Sequence, residues 1–255
     1  MRVLGMESSS LVASVALVTD DVLTAEYTVD FKKTHSQTLL PMLDEIVRLL
    51  ELDMDTIDAI AVAAGPGSFT GLRIGAATAK GLGLALSKPL IHVPTVDAMA
   101  YNMWGARGIV CPIMDAKRSQ VYTGLYRTEN DLEVVMEQKP MDMRELAARI
   151  NEIGEPVIFL GDGVPVYRPI IEDTVTVPYT FAPAQMNRQR AACVAALGMK
   201  ALLQKDGQGS AGYSGVRLVS ADEFAPDYLR KPQAERQREA ELSETGAAAK
   251  LPGDY

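Results

Sequence analysis

Apolar residues along the first thirty positions alternate with small or polar ones, the period of strands, and the spacing then changes to threes and fours. Val3 to Met6 reads as a first strand. Ala13, Val15 and Leu17 mark a second after the Ser8-Ser9-Ser10 turn, and Val22 to Val29 a third after Asp20-Asp21. Three strands in meander predict an antiparallel start to a mixed sheet. Leu39, Leu40, Leu43, Ile46, Val47 and Leu50 then fall on one helical face, predicting a helix from about Ser36 to Leu52 with Ser36 as its cap. Pro41 fits if that helix begins near Leu40. Ile60 to Ala64 is a short buried strand, followed by a Gly-rich turn, a helix to about Ser87, a strand over Leu90 to Val93, and a helix that Thr95 caps and that runs to Trp104.

The second half starts the pattern again. Ile109 to Met114 reads as a buried strand, Val121 to Tyr126 as its return, and Leu132 to Gln138 as a third strand. Met141 to Ile150 is an amphipathic helix, Val157 to Leu160 a strand and Asn187 to Leu203 a helix. Two meanders, each followed by helix–strand alternation, predict two similar lobes: residues 1–104 and 105–230. From Lys231 the pattern ends in a polar, charge-mixed stretch expected to be a disordered tail over 231–255.

Composition narrows the function. The 255 residues carry 33 acidic against 25 basic side chains, a formal charge of −8, which makes a phosphate backbone a poor direct partner. The two cysteines, Cys111 and Cys193, lie in apolar runs without CxxC spacing and read as reduced core residues. The chain enters a strand pattern at its first residues, and its longest apolar stretch, Ile74 to Leu86, is interrupted by Lys80 and is too short for a bilayer. A cytoplasmic location without a membrane partner is the expectation.

The Gly-rich turn, GPGSFTGLRIG over 65–75, is the most informative motif. Gly65 and Gly67 permit a tight turn after a strand, and Ser68 or Thr70 can cap the next helix. A P-loop would need Lys where Leu72 stands, and the dinucleotide pattern needs GxGxxG where this chain has GxGxxxG. Gly71, Gly75 and Ala79 recur every four residues and make a helix stripe nearly free of side chains. Each helical glycine costs about 1 kcal/mol relative to alanine, so the stripe calls for a close approach, either within the protein or at a subunit interface. Glu7 and Asp115 each end the first strand of a lobe and could pair across a cleft, with Gly65, Gly67 and Ser68 as a nucleotide-facing loop. His35 and His92 are the only histidines and cannot form a His-x-x-x-His pair. With no GxSxG elbow and no polar setting for either cysteine, nucleophilic catalysis is unsupported.

Five stretches in order, GMESSS (5–10), HSQTLLPML (35–43), GPGSFTGLRIG (65–75), MDAKRSQVY (114–122) and PDYLRK (226–231), resemble the TsaB family, also called YeaZ, across residues 1–231. The resemblance implies a two-lobed α/β fold of the actin-like, sugar-kinase and Hsp70 ATPase class. It also implies a non-catalytic subunit for threonylcarbamoyl modification of tRNA adenosine 37, partnered by the catalytic paralogue TsaD and the ATPase TsaE. It would form a homodimer when alone and meet tRNA only through the complex, with ATP and metal held by the partners and no cofactor of its own. At the paralogue's two His positions this chain has Thr95 and Met99, neither suited to a hard or borderline cation. Where relatives carry Asp in an IDT-like pattern, Met6-Glu7-Ser8 stands. In the family the two helices pack on the partner. That assigns Gly71, Gly75, Ala79, Leu72, Leu82, His35, Gln37 and Leu40 to an interface, with Gly75→Leu expected to spare the fold and abolish binding. A stand-alone small-molecule kinase or ATPase of the same fold is the alternative.

Overall fold

The structure is a computed structural model that describes residues 1–117, 119–205 and 215–229. Three antiparallel strands, β1 (Arg2–Glu7), β2 (Val12–Thr19) and β3 (Val22–Asp30), lead into α1 (Leu39–Leu50), β4 (Ala59–Ala63), α2 (Phe69–Leu86), β5 (Leu90–Val93) and α3 (Thr95–Tyr101). The second meander, β6 (Ile109–Asp115), β7 (Gln120–Arg127) and β8 (Glu133–Asp142), leads into α4 (Met143–Ile153), β9 (Val157–Leu160), α5 (Val164–Thr174) and β10 (Tyr179–Phe181). Then α6 (Ala191–Lys205) and β11 (Arg217–Val219) close the described chain. The sheets run β11-β5-β4-β1-β2-β3 and β10-β9-β6-β7-β8. In each, the lobe's first strand pairs antiparallel with its hairpin partner and parallel with the strand after the first helix, so the lobes share one plan. Helix-linked parallel pairing places the ends of β1 and β6 together at the junction of the lobes.

Alternation divides β1 between two cores. Leu4 and Met6 pack with Met42, Leu43 and Ile46 of α1 and Ala76 and Ala79 of α2. Val3 faces the other way, into a cluster with Val194, Ala195 and Leu197 of α6 and with Val110, Met114 and Leu160 of the second lobe. At Gly5 an added Cβ would lie 2.4 Å from Ala191 O, so α6 is seated directly on β1. The chain therefore returns to the first sheet: α6 packs on β1 and β2, and β11 pairs with β5. The sheets do not divide where the 1–104 and 105–230 halves do, because the last helix and strand fill the edge and face that the first lobe leaves open.

Several element boundaries differ from those expected. Ser36 lies in a single 3-10 turn, His35–Gln37, and Thr38 precedes α1 without a side-chain cap bond. Pro41 explains it: in the first turn its missing N–H is harmless, but further inside its ring would strike the preceding turn. Thr95 is the first residue of α3 and not its cap, and α3 ends at Tyr101 short of Trp104. The last helix begins at Ala191, four residues after Asn187. The period does not reveal helix α5, because Pro165 and Pro169 interrupt its pattern; Pro165 sits in the tolerant first turn and Pro169 forgoes one backbone bond. The tail at 231–255 lies outside the described residues. Among the described residues no helix is long and apolar enough to cross a membrane.

Candidate functional site

Four of the recognised motifs meet at the end of β1. Ser68 caps α2 by accepting from Gly71 N at 3.3 Å, and its own N donates to Ser9 O at 2.6 Å. Ser8 Oγ donates to Gly71 O at 2.9 Å, and His35 Nε2 lies 2.8 Å from Ser10 O. The glycines make room for this knot. An added Cβ would lie 2.4 Å from Ser9 O at Gly67, 2.1 Å from Ser8 O at Gly71 and 2.2 Å from Ser8 Oγ at Gly75. Asp227 N donates to Ala64 O at 2.7 Å, and Tyr228 stacks on Phe69 with its hydroxyl accepting from Arg73 Nε at 3.3 Å. Gly65 turns at φ +120 beneath the Asp227 carbonyl.

This geometry reverses part of the expected interface. Gly71, Gly75 and Ala79 face the protein's own Ser8 turn and core; Leu72 is buried, and His35 is buried against Gly71. Leu82 is half-buried in the α1/α2 core, whereas Gln37 and Leu40 face outward. Gly75→Leu therefore tests the fold and not a partner, since its side chain would collide with Ser8. The outward face of α2 carries a different row, Arg73, Ala77, Gly81 and Ala85, with Leu84 beside it at 56% exposure. Nothing lies within 4 Å of a Cβ placed on Gly81. On α1, Leu40 at 52% and Leu49 at 65% exposure face outward as well. The two small-residue stripes look alike in the sequence, because the Ser8 turn that fills the inner one is distant in sequence.

Between the lobes lies a cleft of about 480 Å³ lined by Ser9, Ser10, Gly67, Ser68, Asp115, Lys117, Tyr122 and Asp162 among others. Glu7 stands behind its floor, 1% exposed, with Oε1 accepting from Ser9 N at 2.5 Å. Burial pushes its carboxyl up to about 7 against the Ser9 hydroxyl and amide, and the Asp162 charge adds to the rise. A third acid, Asp162, interacts electrostatically with both Glu7 and Asp115. Burial raises the Asp162 carboxyl too, opposed by Gln189, whose Nε2 donates to Oδ1 at 3.2 Å. Burial also acts on Asp115 but is outweighed by bonds from Lys117 and from the Tyr167 hydroxyl, which leaves it below the ordinary carboxylate value. Asp162 was missed in the sequence, although Gly161-Asp162-Gly163 follows β9 much as Gly65-Pro66-Gly67 follows β4.

The positions of the paralogue's histidines are occupied structurally. Thr95 Oγ1 accepts from Gly65 N at 3.1 Å and Thr95 N donates to Gly65 O at 2.9 Å, while Met99 is buried in the interlobe core. Among the described residues no group of three or more His, Cys, Asp or Glu side chains is arranged for a metal. Cys111 and Cys193 are both buried, and burial pushes both thiols up to about 12, far from a reactive thiolate.

Comparison with known proteins places this geometry. The profile of the family described as "TsaD: tRNA N6-adenosine threonylcarbamoyltransferase" matches residues 29–238. The Bacillus subtilis tRNA threonylcarbamoyladenosine biosynthesis protein TsaB is 32% identical over 237 residues, 92% of this chain and 96% of that protein. The Escherichia coli protein of the same name is 36% identical over 135 residues, 52% of this chain and 58% of its own length. Among solved structures, YeaZ from Pseudomonas aeruginosa superposes with a TM-score of 0.72 at 23% identity, covering 89% of this chain and 99% of that one. The expected two-lobed α/β fold is present, as two mixed sheets with helices, and it is the fold of that YeaZ structure. The chain belongs to the TsaB/YeaZ family of tRNA threonylcarbamoyladenosine biosynthesis proteins.

Proposed function

We propose that this chain is the non-catalytic partner of the TsaD paralogue, docking through the outward faces of α1 and α2 and supporting threonylcarbamoyl transfer to tRNA adenosine 37. The observation that carries the reading is the open row Ala77, Gly81 and Ala85, flanked by exposed Leu84. A helix without bulky outward side chains lets a second helix approach closely, and exposed leucines give that contact apolar area. Gln37 and Leu40 extend the face along α1. In this reading ATP and the catalytic metal reside in the partner subunits, TsaE joins the assembled complex, tRNA is met through it, and two copies of this face pair when the protein is alone. The kinase alternative is not favoured: the relatives carry the biosynthesis name, and Lys117, the lysine lining the cleft, is already paired with Asp115. The test is complementation of a host depleted of its own copy, with tRNA nucleosides measured by mass spectrometry. Wild type restores threonylcarbamoyladenosine, and Gly81→Arg, folded but with its outward row blocked, does not. Full restoration by Gly81→Arg refutes the docking face.

A further inference from the structure

Among the described residues every arginine except Arg2 and Arg73 pairs with a carboxylate. Arg2 is engaged by Thr56, whose Oγ1 accepts from its Nη1 at 2.5 Å. In a chain with 33 acidic against 25 basic side chains, an arginine left without an acid calls for a reason. Arg73 is exposed, yet it is held. Its guanidinium lies 4.0 Å over the Phe69 ring, and its Nε donates to the Tyr228 hydroxyl at 3.3 Å. Tyr228 leans on the same ring, with centroids 5.0 Å apart. The segment that carries Tyr228 is itself fixed, since Asp227 N donates to Ala64 O at 2.7 Å and its carboxylate pairs with Arg217 and lies 3.1 Å from His92 Nε2. Stacking sets the plane of the guanidinium and the Nε bond sets its rotation, so the Nη1–Nη2 edge has one direction. No described residue accepts a hydrogen bond from that edge. Arg73 stands four residues before Ala77, at the N-terminal end of the outward face of α2.

We propose that Arg73 is a preformed carboxylate anchor, taking an Asp or Glu side chain of the TsaD paralogue through its Nη1–Nη2 edge. This anchor rests on the docking face proposed for α2 and gives that face a charged end. The two outer nitrogens match the two oxygens of a carboxylate, a geometry that lysine cannot supply. An exposed ion pair contributes little when two long side chains must first be ordered, and here Phe69 and Tyr228 have ordered one of them in advance. Arginine and tyrosine are also the residue types most enriched where interfaces concentrate their binding energy. A protein carboxylate is favoured over a nucleic-acid phosphate for two reasons. The chain's net charge of −8 opposes a phosphate backbone. The face that Arg73 heads, with Ala77, Gly81, Leu84 and Ala85, is apolar and suits a helix. Phe69 and Tyr228 act through Arg73 as positioning residues, which gives the PDYLRK stretch at 226–231 a role at the interface.

The test measures the affinity of the purified TsaD paralogue for the full chain and its variants, each confirmed as folded by circular dichroism, with Gly81→Arg in parallel. Arg73→Gln is expected to weaken binding about thirtyfold, as when one partner of a closed charge pair is removed. Arg73→Lys keeps the charge without the fork and stays closer to Arg73→Gln than to wild type. Tyr228→Phe keeps the ring contact, loses less, and adds nothing when combined with Arg73→Gln, because its hydroxyl acts only through Arg73. Arg73→Glu abolishes binding, and reversing the acids of the paralogue's facing helix to Arg one at a time restores it at a single position. Wild-type affinity in Arg73→Gln while Gly81→Arg fails overturns the anchor and leaves the docking face standing; wild-type affinity in both overturns the two together. Unchanged paralogue affinity in Arg73→Gln with weaker tRNA retention by the assembled complex assigns the arginine to phosphate and overturns the anchor as well. So does the failure of every reversal to rescue Arg73→Glu.

Discussion

Helix α2 presents two rows of small residues at the same spacing, and the protein fills one and leaves the other open. Gly71 and Gly75 receive the Ser8 turn and the His35 ring, and Ala79 is buried in the core with α1. Ala77, Gly81 and Ala85 face outward, and among the described residues nothing approaches a Cβ placed on Gly81. A glycine inside a helix costs about 1 kcal/mol relative to alanine wherever it sits. On the inner face that cost is offset by a hydrogen-bonded knot of four motifs. On the outer face no contact among the described residues offsets it, which is why the outer row is the one assigned to a partner.

The sharpest way to break the contrast is Gly71→Ala. The new Cβ would meet a backbone oxygen at 2.1 Å, which no rotamer change relieves. We expect a loss of about 3 kcal/mol or more, as for severe overpacking, read from the urea midpoint. A loss below 1 kcal/mol on the same overpacking scale contradicts the inner knot.

Second in size is the acid behind that knot. Glu7 ordinarily titrates at 4.5 and is pushed up to about 7 by burial, in the field of Asp162 and close to Cys193, with the Ser8 and Ser9 amides opposing. The folded state therefore binds a proton that the unfolded chain has released between these values. Stability falls as pH rises from about 4.5 to about 7 and is level above, by up to about 3 kcal/mol for a fully buried group. Glu7→Gln keeps an acceptor for Ser9 N and flattens this slope, which makes it the more stable protein at pH 8. An unchanged slope in the variant assigns the pH dependence to other groups.

The smallest effect has the opposite sign. Gly81→Ala adds its methyl to open space and is expected to stabilise by about 0.5–1 kcal/mol through helix propensity alone. Destabilisation would mean that the outer row is packed within the chain after all. Opposite signs at Gly71 and Gly81, ten residues apart on one helix, form the signature of one filled and one open face.

How far the sequence reveals this molecule follows from the range of the interactions involved. The meanders and most helices are legible from period alone, since Leu4, Met6, Leu43 and Ile46 fall where strand and helix spacing place core residues. Helix α5 is hidden by its prolines, and β11 by its three residues and its pairing with β5 across more than a hundred positions. The candidate site divides the same way. Ser68 as cap and Glu7 as strand-end acid follow from local rules, but Asp162, which Gln189 bonds and whose charge acts on Glu7, is more than 150 positions from Glu7 in sequence. A helical wheel of α2 shows both small rows, and only the position of Ser8 decides which is inward.

The central claim is that the outer row of α2 is the docking face, and the direct measurement is the affinity of purified TsaD paralogue for wild type, Gly81→Ala and Gly81→Arg. We expect Gly81→Ala to bind like wild type and Gly81→Arg, equally folded by circular dichroism, to lose binding by at least about a hundredfold, as expected when a charged side chain enters a close-packed contact. Equal affinity for all three would place the partner on another surface and contradict the account.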